Sequence, residues 1–190
     1  MEVHAEPFLS SIIEILSTYI HEQYINNESY LESIKIREAI YEFTNEKLDW
    51  NDRTIFTDLR TTFPDFNFDN QTHFFYNDRC FQIYVEKQTE SLVLAYTIYL
   101  SIFGYFTVYS RNYNEQRNSE TKYQYDAAIF KEKGVDPFCD KVFQIILKYY
   151  PDTVWLPNNI LLESIHDLKI YSDRVRKDIQ VFDLLFTQNR

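Results

Sequence analysis

Of the 190 residues in this chain, 29 are Asp or Glu, four are His and two are Cys. These are the groups that transfer protons, bind metals or act as nucleophiles. Their spacing matches none of the common arrangements for such chemistry. His4, His21, His73 and His166 include no pair at i, i+4, and there is no HExxH helix motif. His21-Glu22 and His166-Asp167 are sequence neighbours, which on a helix point in different directions. Cys80 and Cys139 stand far apart, without a CxxC partner or a zinc-type spacing. They read as buried small hydrophobes of a reducing compartment. No GxSxG elbow or kinase motif occurs, and two Gly in the whole chain exclude a glycine-rich phosphate loop. Asp65-Phe66-Asn67-Phe68-Asp69-Asn70 starts like a calcium loop, with oxygen ligands at alternate positions. The match fails at Asn70, where the turn glycine belongs, and at Tyr76, which offers no bidentate carboxylate. The segment therefore reads as a turn-rich link whose two Phe dip into the core. No catalytic set, metal or cofactor is expected. A metal-assisted hydrolase would need the scattered acids and histidines to converge in space, and it stands as the alternative.

One carboxylate pattern is regular. Glu38, Glu42, Glu46 and Asp49 follow at spacings of four, four and three, which places them on one helix face. Like charges at i, i+4 cost a helix roughly 0.2–0.5 kcal/mol per pair. Glu46 and Asp49 also sit near the C-terminal end, where the helix dipole disfavours anions. Such a ridge is locally unfavourable unless a cation answers it. Lys35 and Lys47 answer it in part. The alternatives are a solvated face and a surface for a basic partner.

The ridge belongs to a wider asymmetry. The chain carries 19 Lys and Arg, giving a net charge of −10 and a pI near 4.8. Residues 1–50 hold ten acids and three bases, residues 51–110 seven and four, and residues 111–190 twelve of each. A broad nucleic-acid footprint needs the opposite sign, and so does an anionic membrane surface. A basic protein suits this field. Aromatic residues form 18% of the chain, with 16 Tyr and 16 Phe. Phe serves the core, whereas Tyr combines apolar area with a polar tip and is favoured at interfaces. The strand tyrosines, Tyr96 and Tyr109 among them, are too many to face one core, so some are expected to reach a partner.

The elements that must carry these residues follow from periodicity. Helical stripes are expected from Pro7 to about Tyr24 and from Tyr30 to about Leu48, the second opened by a Ser29/Glu32 capping box. A shorter helix buries Ile55, Phe56 and Leu59 and stops at Phe63-Pro64. The period then changes to two. Strands are expected at His73–Tyr76, around Phe81–Glu86, at Leu92–Leu100 and at Tyr105–Tyr113, with a bend at Gly104. Ser91–Ser110 is twenty residues without a charge. Its β-branched and aromatic content favours two buried strands over a membrane span. Asn114–Lys122 reads as a polar loop. A helix is expected over Tyr123–Lys133, closed by Gly134, and another opened by Asp136-Pro137 and closed by Pro151. Leu161, Ile165 and Leu168 suit a helix or a strand, and Ser172–Thr187 reads as a final helix. The fold class is α+β in a single domain, residues 1–190: an antiparallel meander of about four strands flanked by N-terminal and C-terminal helices. The opening Met1–Pro7 has neither a basic stretch nor an apolar run, so a cytoplasmic protein is expected.

A small, acidic, single-domain chain without catalytic motifs resembles the immunity proteins of bacterial polymorphic toxins in overall character. The resemblance implies a non-catalytic inhibitor whose partner is a toxin domain, often a basic nuclease, blocked by occlusion of its active surface. In that reading Glu38, Glu42, Glu46 and Asp49 steer the encounter, and exposed tyrosines such as Tyr96 and Tyr109 anchor it. The oligomeric state is left open by the sequence, and a structural or phage-derived scaffold is a third class of role.

Overall fold

A computed structural model describes Ser10, Ile12 and Glu14 and residues 55–72, 80–89, 92–114, 124–125, 129–164 and 180–186. Three long strands form its centre: β2 (Cys80–Gln88), β3 (Leu92–Ser101) and β4 (Tyr105–Asn114). β3 lies between the other two, antiparallel to both, with Ile98 opposite Ile83 on one side and Val108 on the other. The link from β2 to β3 is short, and Thr89 N–H closes it on Leu92 O at 2.9 Å. Gly104 makes the next turn at φ +80° and donates to Ser101 O at 3.0 Å.

Helices pack on both faces of this sheet. The first face presents Phe81, Ile83, Val85, Tyr96, Ile98, Leu100, Phe106 and Val108 to α1 (Ile55–Thr62) and α2 (Pro137–Tyr149). α1 contributes Ile55, Phe56 and Leu59, spaced to share one side, and it ends before Pro64 as the sequence predicts. α2 opens as predicted: Asp136 is extended, its Oδ1 accepts from Phe138 N–H, and Pro137 fills the first helical position. Its stripe of Cys139, Val142, Phe143, Ile145 and Ile146 is buried. The second face brings Cys80 and Tyr105 against Ile12, Phe130, Leu156 and two short helices, α3 (Asn158–Leu161) and α4 (Val181–Leu185). Ser101 Oγ donates to Leu185 O at 2.7 Å and fastens α4 to the end of β3. Full burial of a Leu, Ile or Phe side chain stabilises by roughly 1.5–3 kcal/mol.

This double burial explains the charge-free run. Ser91–Ser110 covers β3 and much of β4, and a strand covered on both faces has no wet side on which to carry charge. No helix of the described residues is long and apolar enough to cross a membrane.

The remaining strands depart from the sequence expectations. β1 (Asn67–Asn70) pairs with β2, so the predicted link is an edge strand. The alternate oxygens of the calcium-like pattern are alternate strand positions: Asn67 and Asp69 are exposed, while Phe68 is buried opposite Val85. Phe66 is half-buried in the bend before it. None of the described residues in the helix predicted over Tyr123–Lys133 is helical. In its place β5 (Gln124–Tyr125) and β6 (Ile129–Phe130) pair antiparallel with β4. β7 (Val154–Trp155) adds to the same edge in the parallel sense. The outer N–H and C=O groups of β4 need partners, and that demand outweighs local helix preference. Gly134 therefore closes no helix; it turns the chain at φ +84° just before the cap of α2. Of the predicted helix over Ser172–Thr187, residues 172–179 and 187 lie outside the described residues. Gln180 is extended and bridges Ser164, which breaks that helix, and Val181–Leu185 after it is helical, with Gln180 and Asp183 forming a reciprocal cap. The two N-terminal helices, apart from helical Ser10, Ile12 and Glu14, lie outside the described residues, as do the His73–Tyr76 strand, most of the Asn114–Lys122 loop, Ile165 and Leu168.

The Gly104 turn gives a direct test of the β3–β4 hairpin. A Cβ there would meet nothing within 4 Å, so only backbone conformation opposes a side chain. Gly104→Ala is expected to lower unfolding stability by about 1–2 kcal/mol, and Gly104→Asn by less, in urea titrations. An Ala variant as stable as the parent would contradict the left-handed turn.

Candidate functional site

The six predicted partner-binding residues are not brought together within the described residues. Glu38, Glu42, Glu46 and Asp49 lie outside them. The two tyrosines sit on opposite faces of the sheet. Tyr96 pairs with Ser110 and Tyr109 with Thr97, one register position apart, so the pleat turns them in opposite directions. Tyr96 belongs to the first core and is only 8% exposed. Its ring centroid lies 4.5 Å from that of Phe138 and its hydroxyl donates to Asp136 Oδ2 at 3.3 Å. Burial, and then the neighbouring Asp136 carboxylate, push the phenol well above the usual tyrosine range. As placed, Tyr96 is a packing residue rather than a surface anchor. Tyr109 is half-buried against Phe130, with ring centroids 5.1 Å apart, and keeps part of its surface accessible.

Asp136 is a carboxylate with several partners. Besides Tyr96 and the Phe138 N–H, it faces Lys131 Nζ at 3.7 Å. Asp140, one turn on, accepts from Gly134 N–H at 2.8 Å, and Trp155 Nε1 donates to Lys131 O at 3.2 Å. The network ties the 131–136 turn to α2 and to β7. Cys139 lies beside it and is fully buried. Burial, with the Asp136 carboxylate adding to it, pushes this thiol well up, so it stays protonated and is poorly suited to attack. Sequence reasoning identified Asp136 as a helix cap. It missed the reach to Tyr96, because forty residues separate the two and only the β3 register joins them.

A second carboxylate joins the two helices of the first face. Asp58 Oδ2 on α1 accepts from Lys148 Nζ at 3.1 Å and from Tyr149 OH at 3.0 Å, both on α2. These bonds, Lys148 first, hold the Asp58 carboxyl below its ordinary range. On the edge, Lys87 pairs with Asp65 at 3.1 Å and its ammonium lies 5.2 Å from the Phe66 ring centroid. Arg60 and Lys133 lie over Phe56 and Phe143. Five of the seven described cations thus sit on a described carboxylate or ring. Such pairs add little stability where exposed, but they occupy the charge.

The described residues carry eleven acids and seven bases, a net of −4 against −10 for the whole chain. Most of the surplus acid therefore lies outside them. No group of three or more His, Cys, Asp and Glu placed to hold a metal ion occurs among the described residues, and all four histidines lie outside that set.

Two outcomes test these networks. Asp136→Ala removes the cap and leaves the buried Tyr96 hydroxyl without its acceptor. It is expected to cost about 2 kcal/mol or more, with Asp136→Asn milder because Asn also caps. Equal stability of the two variants in denaturant titration would remove the cap from the account. Asp58 has a depressed folded-state pKa, so its contribution is present above the unfolded-state value and is lost as pH falls through the folded-state value. Asp58→Asn should therefore melt below the parent at neutral pH, and the two melting curves should converge in acid. A gap that persisted or widened in acid would contradict the clamp.

Comparison of the chain with protein-family models, with curated proteins and with solved structures gave no match.

Proposed function

We propose that this chain is a non-catalytic cytoplasmic binding protein that docks its acidic surface onto a basic partner and covers the partner's active surface, in the manner of a bacterial toxin-immunity protein. The observation that carries this reading is the placement of charge. The chain has a surplus of ten carboxylates, and residues 1–50 alone hold ten acids against three bases. That surplus is what remains after every Lys and Arg is counted, and most of the described cations sit locally on Asp58, Asp65, Asp136 or the rings of the first core. A field of this sign speeds encounter with a cationic protein and disfavours nucleic acid and anionic lipid. The carboxylates of the Glu38–Asp49 ridge would steer. Tyr109, with part of its ring accessible, is the better anchor of the two strand tyrosines, since Tyr96 is buried.

The test uses the product of the gene immediately upstream, purified and titrated with this chain by calorimetry. A one-to-one complex is expected. The Glu38→Gln/Glu42→Gln/Glu46→Gln variant should fold with equal or slightly greater stability and bind about tenfold more weakly or worse at low salt. Absence of a complex, or unchanged affinity of the variant, would overturn the reading. Stoichiometric zinc or manganese in the purified chain would favour the metal-assisted hydrolase instead.

A further inference from the structure

We draw no further inference here: the strongest candidate, the band of half-buried Tyr84, Tyr99 and Tyr109 around the buried Thr107 hydroxyl on the second face of the sheet, carries nothing because Phe130, Phe182 and Phe186 already pack on Tyr99 and Tyr109 and nothing in the structure shows what covers the part of the band left accessible.

Discussion

The placement of β3 between β2 and β4, with a hydrophobic core on each face, is the constraint on which the other described elements depend. Both edges of β3 are paired and both of its faces are covered, so no part of its length can accept a charge without loss. α1 and α2 have an apolar surface to pack on because Phe81, Ile83, Ile98, Leu100, Phe106 and Val108 align on one side. The C-terminal segment has its own surface because Cys80 and Tyr105 face the other way, and Ser101 holds Leu185 at the strand's end. Loss of the β3 register by one residue would exchange the two faces and expose both cores.

That arrangement decides what could be read from the sequence. Local signals gave local structure. Asp136-Pro137 opens α2 because a side-chain cap and a fixed φ act within one turn. The alternation of Phe81, Ile83 and Val85 gave β2 because one side of that strand is wetter than the other. β3 and β4 were legible from the absence of charge together with β-branched and aromatic content. The failures share one cause. β1, β5, β6 and β7 are only two to four residues long, and each is a strand because a neighbouring strand offers unpaired backbone groups. Nothing in Tyr123–Lys133 itself announces that neighbour. The final predicted helix is broken at Gln180 for a related reason: Ser164 draws that residue into an extended bridge.

The candidate site divides in the same way. The spacing of Glu38, Glu42, Glu46 and Asp49 is a property of the sequence, and the charge asymmetry is arithmetic. Which tyrosines reach the surface is a property of register. Composition placed Tyr96 and Tyr109 together as interface residues, whereas the β3–β4 pairing sends one into the first core and turns the other toward the second. The Asp136 network gathers a carboxylate, a phenol, an ammonium group and a thiol around the turn that leads into the second described helix. Each polar member has a partner that fixes the turn leading into α2, and the thiol is sealed beside them. Convergence of reactive types alone does not make an active site; a substrate must also be able to reach them.

The functional account therefore rests on long-range electrostatics. If the surplus carboxylates exist to attract a cationic protein, they should act before contact, while the partners are still separated by solvent. Stopped-flow association between this chain and the upstream gene product tests that directly. Between about 0.01 M and 1 M salt the Debye length shrinks from about 30 Å to about 3 Å. The account predicts an association rate that falls by about tenfold or more over that range while dissociation changes far less. An association rate that stays level across it would contradict the account.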